Sequence, residues 1–134
     1  MNGKKALLDS NIIIYLSQGK LDVDEILSEY NEFFISIITY MEVLGYQFEN
    51  QDEKELIEQL LDQFEIIQLD MEIAKEVILI KQTKKIKLPD AIIFATAKMN
   101  DCNLMTNNVD DFKNIDEKVK IIKPELKRQK ISNS

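Results

Sequence analysis

Short apolar runs alternate with longer stretches in which apolar residues return every three or four positions. The short runs read as strands: Lys5 to Asp9, Phe33 to Ser36, Glu65 to Leu69, Asn103 to Thr106 and Val119 to Ile122. The periodic stretches read as helices. Residues 11–18 form one and 22–30 another, with Asp22 as its cap. Ile37, Met41, Leu44 and Phe48 share a face of the next helix. Gly45 falls on the edge of that face, and close packing of a neighbouring element is the expected reason for it. After the polar break Asn50-Gln51-Asp52, the residues Leu56, Ile57, Leu60, Leu61 and Phe64 mark a strongly periodic helix. Ile73, Val77 and Ile80 form the stripe of a helix over 71–84. Pro89 opens a last helix that runs to about Asp101, because proline fits a first turn that needs no amide donor. Pro124 ends the fifth strand, and Leu126 to Ser134 reads as a polar tail. The expected organisation is therefore one domain over 1–123 and a tail over 124–134, with no internal repeat or linker.

Short apolar strands alternating with helices predict a three-layer α/β/α sandwich around a parallel sheet. In such sheets ligands bind beyond the carboxyl ends of the strands. Asp9, Ser36 and Thr106 all fall at such ends.

The composition supports a soluble globular domain: 134 residues, 45% hydrophobic and 31% charged. The single cysteine, Cys102, rules out an intrachain disulfide and reads as a small core residue beside Leu104. No signal peptide or membrane-spanning run is present in the pattern, so a cytoplasmic protein without membrane contact is expected. The net charge of −7 opposes general nucleic-acid coating. The charge is uneven, however. Residues 1–76 carry 17 acids and 5 bases, and residues 77–134 carry 7 acids and 12 bases. Lys81, Lys84, Lys85 and Lys87 make one basic cluster, and Lys118 to Lys130 another, which suits a local phosphate-binding rim on an acidic body.

There is no histidine. Serine- or cysteine-based triads that rely on one are excluded, and three scattered glycines cannot build a phosphate-cradling loop. What remains is oxygen chemistry. Asp9 follows a buried strand, where an acid is costly unless paired or metal-bound. Glu42 follows the second strand by two helical turns, with Thr39 three residues before it on the same face. Asp90 lies in a helix first turn, where the helix dipole alone would also favour it. Thr106 and Asn108 either support a site or cap the next short helix. Carboxylates converging without histidine or arginine repel one another, and a hard divalent cation relieves the repulsion. The donor set suits Mg²⁺ or Mn²⁺ and points to metal-assisted phosphodiester chemistry. A rival reading is a phosphoacceptor signalling domain using Asp9, Asp70, Thr106 and Lys123-Pro124, but it leaves Glu42 and Asp90 without a role.

Three pieces, Leu8-Asp9-Ser10-Asn11, Thr39-Tyr40-Met41-Glu42 and Leu88-Pro89-Asp90-Ala91-Ile92-Ile93-Phe94-Ala95-Thr96-Ala97, stand in order with Leu104-Met105-Thr106-Asn107-Asn108 and Asp111-Phe112. As a set, from Leu7 to about Ile122, they resemble the PIN-domain ribonucleases, and among these the VapC-like toxins of toxin–antitoxin pairs. The resemblance implies a five-stranded parallel sheet and Mg²⁺- or Mn²⁺-dependent cleavage of single-stranded RNA. It implies catalytic and metal-binding roles for Asp9, Glu42 and Asp90, and supporting roles for Ser10, Thr39 and Thr106. Asn108 stands where many members carry a fourth acid, and Asp111 is a candidate substitute. Lys85 and Lys87, just before Asp90, are candidates for steering single-stranded or structured RNA. A homodimer and a cognate antitoxin are the expected protein partners. A stand-alone RNA-processing nuclease and an inactive scaffold that binds RNA or protein are the alternatives within the same family.

Overall fold

The computed structural model describes residues 4–127. The elements follow in the order β1 (Lys5–Leu8), α1 (Ser10–Ser17), α2 (Val23–Glu29), β2 (Glu32–Ser36), α3 (Ile37–Leu44), α4 (Gln51–Leu61), β3 (Glu65–Ile67), α5 (Met71–Thr83), α6 (Leu88–Met99), β4 (Asn103–Met105), α7 (Val109–Phe112) and β5 (Ile121–Ile122). All five strands are parallel, in the order β3-β2-β1-β4-β5. The three-layer α/β/α architecture with a five-stranded parallel sheet is the one the sequence predicts.

The continuous apolar runs of the central strands follow from this layering. Side chains alternate between the two faces of a strand, and here both faces are covered. Leu7, Phe34 and Leu104 face one core, with Ile73, Val77 and Ile80 of α5 and Ala91 to Ala97 of α6. Ala6, Leu8, Ile35 and Met105 face the other, with Ile12, Ile13, Val43, Ile57 and Leu61 from α1, α3 and α4. The helix α6 is buried over seven consecutive residues, so it is apolar all round rather than striped. Its one buried hydroxyl, Thr96 Oγ1, is satisfied by donating to the Ile92 carbonyl at 2.7 Å. Lys98 ties its last turn to Glu76 of α5 at 3.0 Å and to Asp116 at 2.7 Å.

Several expectations are corrected. The helix α3 stops at Leu44, so Gly45 caps it and Phe48 lies beyond it. A Cβ at Gly45 would stand 2.7 Å from the carbonyl oxygen of Met41, so the close approach comes from the helix's own last turn. The buried face of α3 is Thr39 and Val43, while Met41 is exposed. On α4 only Ile57 and Leu61 are buried, and Leu56 is 51% exposed. The fifth strand is two residues long rather than four, while the short helix expected after Asn108 is present as α7.

Strand order also removes the phosphoacceptor reading. There, the acid-bearing third strand should adjoin the first. Here β3 is an edge strand separated from β1 by β2. Asp70 is occupied as the N-cap of α5, accepting from the Ile73 amide at 2.8 Å.

After β5 the chain turns back along the body. Leu126 forms an antiparallel bridge with Leu21, and the Lys127 amide donates to the Lys20 carbonyl at 2.7 Å. The remainder of the expected tail, 128–134, lies outside the described residues. Among those described, no helix is long and apolar enough to cross a membrane. Cys102 is buried, and loss of solvation pushes its thiol up to about 11, as suits a core residue.

Candidate functional site

Strands β1 and β4 are sheet neighbours although β2 and β3 intervene along the chain. The strand order changes direction there, which opens a crevice at their carboxyl ends. Asp9 sits at that point. Its amide donates to the Met105 carbonyl at 2.9 Å, extending the β1–β4 pairing by one residue. It is the N-cap of α1, and Oδ1 accepts from the Ser10 amide at 2.8 Å. Its other oxygen, Oδ2, accepts from Thr106 Oγ1 at 2.8 Å and from Asn11 Nδ2 at 3.2 Å. Only 5% of Asp9 is exposed, so these three donors replace most of its lost water.

Glu42 and Asp90 are held differently. Glu42 is exposed on α3 and Asp90 is half-buried in the first turn of α6. Partial burial raises the Glu42 carboxyl above the ordinary glutamate value, and the charges of Asp9 and Asp90 raise it further. Partial burial also raises Asp90, as do Asp111 and Asp9, with the Lys87 ammonium acting against them. Four acids, one just past β1 and the others on α3, α6 and α7, therefore share one negative field.

Their oxygens suit a hard cation, and their mutual repulsion is what a cation relieves. Among the described residues, no group of three acids is close enough together to hold one ion directly. Mg²⁺ accommodates that arrangement, since it commonly takes one or two carboxylates and keeps several waters.

The supporting residues divide. Thr106 is fully buried, donating to Asp9 while accepting from the Asn108 amide at 3.0 Å. Ser10 acts through its backbone amide. Ser36, at the end of β2, caps α3 by accepting from the Ile38 amide at 3.2 Å. Thr39 is fully buried, and its Oγ1 has no hydrogen-bond partner. Asn108 occupies the N-cap position of α7 without a side-chain cap bond, so the capping explanation for it fails.

Comparison with known families matches the PIN domain model over residues 6–118. The chain belongs to the PIN domain family. A chain of a toxin–antitoxin complex from Klebsiella pneumoniae is 34% identical, with a TM-score of 0.72, over 87% of this chain and 95% of that one. A chain of VapBC-1 from nontypeable Haemophilus influenzae is 26% identical, with a TM-score of 0.71, over 89% and 97%. A chain of DNA-bound VapBC from Salmonella typhimurium shares the fold at 20% identity, with a TM-score of 0.77, over 90% and 98%. Curated proteins yield no match.

Two recesses flank the acids of this PIN domain. One, of about 690 Å³, is lined by Lys81, Lys84, Lys85 and Lys87 together with Asp90, Asp110 and Asp111. Lys81 Nζ donates to the Ile86 carbonyl at 2.6 Å and so braces the turn that carries Lys85 and Lys87. The other, of about 540 Å³, runs between α1, α3 and α4 and brings Glu42 and Asn108 against Ile14, Tyr46, Phe48 and Leu56. Sequence reasoning missed Asn11, Asn107 and Tyr15, which bond around Asp9 and Thr106. The signal available was an asparagine two residues after a strand-end aspartate. It became meaningful only once β4 was known to lie beside β1.

Proposed function

We propose that this PIN domain is a metal-dependent endoribonuclease acting on single-stranded or structured RNA, and the toxin of a toxin–antitoxin pair. The observation that carries this reading is the shared negative field of Asp9, Glu42, Asp90 and Asp111 beside a lysine-lined recess. Asp9 and Asp90 are the ligands for Mg²⁺ or Mn²⁺. Glu42 orients the attacking water or contributes to a second ion, for which Asn108 and Asp111 are further ligands. A bound divalent ion would supply a water of lowered pKa and neutralise charge building on the phosphate.

The chain's own groups do the rest. Asp9 is held by three donors, so its charge is in place before substrate arrives. Glu42, raised above the ordinary glutamate value by partial burial and then by the charges of Asp9 and Asp90, is the more basic carboxylate available to accept a proton from water. Lys85 and Lys87 lie along the recess that ends at Asp90 and hold the RNA backbone there. Thr106 stabilises the β4 end of the site through its bonds to Asp9 and the Asn108 amide, and Thr39 is buried on α3, three residues before Glu42.

The antitoxin is proposed from the similar toxin–antitoxin complexes and from the second recess. Its apolar wall and its two acids, Glu42 and Glu53, suit an amphipathic segment that carries a basic residue. A homodimer is proposed from the exposed apolar side chains outside that recess, Ile78, Leu79 and Leu88 among them. The cytoplasm is the proposed compartment.

Purified protein should cleave single-stranded RNA with Mn²⁺ or Mg²⁺ and stop in EDTA. Equal cleavage in EDTA refutes the metal requirement. RNA binding without cleavage in either ion would make the domain an inactive scaffold.

A further inference from the structure

The hydrogen bonds around Asp9 continue past its carboxylate. Asn11 Nδ2 donates to Asp9 Oδ2 at 3.2 Å and reaches Thr106 Oγ1 at 3.4 Å. Asn11 Oδ1 accepts from the Asn107 amide at 2.9 Å. Asn107 in turn donates its side-chain Nδ2 to the Tyr15 hydroxyl at 3.1 Å. Asn11 and Tyr15 stand four residues apart, so one face of α1 grips the segment after β4 at two points. The Asn11 side-chain amide offers both a donor to Asp9 and an acceptor to Asn107 from one planar group.

The consequence for Asp9 is geometric. A carboxylate has roughly four lone-pair sites. The Ser10 amide, Thr106 Oγ1 and Asn11 Nδ2 engage three of them. About one remains for a cation, and its direction is set by the two donors on Oδ2. Without Asn11, the carboxylate keeps two donors but gains freedom to rotate.

We infer that Asn11 is a positioning residue that aims the free lone pair of Asp9 at a divalent cation, with the Tyr15–Asn107 bond holding Asn11's own partner in place. The inference rests on the metal-centre reading above. It assigns a role to residues that neither carry charge nor touch the ion.

The test is calorimetric titration of Mn²⁺ into the metal-free full chain, with melting curves recorded alongside. Asn11→Ala should bind Mn²⁺ about 10- to 100-fold more weakly than the unmodified protein. Its kcat for RNA should fall while KM stays within about twofold. Tyr15→Phe removes one hydroxyl at the far end of the chain of bonds and should weaken Mn²⁺ binding by a smaller factor, about two- to fivefold. An Asn11→Ala protein that melts lower but binds Mn²⁺ with unchanged affinity overturns the inference, since a merely structural tie predicts that result. If Asn11→Ala does not fold, Tyr15→Phe decides: unchanged affinity overturns the inference and weakened affinity supports it. An unmodified protein that takes up no Mn²⁺ overturns the metal-centre reading itself and the inference with it.

Discussion

Asp9 and Asp90 belong to one candidate centre yet are held in opposite ways. Asp9 is nearly sealed, and three hydrogen-bond donors stand where water would be. Asp90, like Glu42, is governed by partial loss of solvation and by neighbouring negative charge, and only the Lys87 ammonium counters that on Asp90. The crevice between β1 and β4 is thus finished without a ligand, whereas the rim formed by α3, α6 and α7 is left in conflict. A hydrogen-bonded carboxylate is preorganised, and a crowded, partly buried one is favoured by a proton or a cation. The two kinds of acid divide the labour expected of a metal-assisted phosphodiesterase, one fixed and the others responsive.

The largest expected effect comes from removing the charge on either side. Asp9→Asn and Asp90→Asn should each lower RNA cleavage by roughly 10³-fold. The two should differ in stability, because Asp9→Asn disturbs a buried network while Asp90→Asn relieves repulsion. Asp90→Asn should therefore melt at or above the unmodified temperature in the absence of metal. A variant that retains near-normal rates removes its residue from the ligand set.

Next in size is the network itself. Thr106→Val keeps the shape of the side chain but deletes the hydroxyl donor to Asp9 and the acceptor of the Asn108 amide. It should cost about 1–3 kcal/mol of stability, measured by denaturant unfolding, and Thr106→Ser should recover most of it. A neutral Thr106→Val would mean that Asp9 is held by its backbone position alone, and the contrast with the rim would weaken.

The pH dependence sharpens the contrast from the other side. Glu42 and Asp90 are raised above the ordinary values of 4.5 and 3.8. The folded state therefore holds their protons more tightly than the unfolded state does. The stability this contributes is complete below the ordinary values and is lost as pH climbs through the raised ones. The metal-free protein should melt at falling temperature across that rise, and saturating Mn²⁺ should flatten the curve. Melting curves with the same pH slope in both conditions would show that no ion relieves the rim.

The smallest effect is expected at Asn108. Three carboxylates carry one charge more than a single divalent ion and one fewer than two ions. Asn108→Asp should strengthen binding of a second ion and lower the Mn²⁺ concentration for half-maximal activity by a few-fold, roughly 1 kcal/mol or less. Unchanged metal dependence and stoichiometry would leave Asp9, Glu42 and Asp90 as the site.

Much of this protein is local and therefore readable from the chain. The alternation of period-two and period-3.6 stretches determined five strands and most of the helices, because that periodicity reflects which side of each element meets a core. Asp22 as a cap and Pro89 at a helix start followed from the needs of a first turn. The absence of histidine limited the chemistry to oxygen donors before any geometry was known. Periodicity was less reliable at α3 and α4. There Met41 and Leu56 fall on plausible stripes yet point outward, since what a helix buries depends on what lies against it.

Strand order is not a local property. Nothing within residues 1–20 states that β4 rather than β3 will pair with β1. That choice depends on burying the whole of α6 and both sheet faces at once. It separates Asp70 from Asp9 and brings Thr106 to Asp9 across 97 positions of sequence. Only then do Asn107 and Tyr15 acquire each other, and Asn11 its second partner beyond Asp9, because these hydrogen bonds run between segments that the chain keeps more than 90 residues apart.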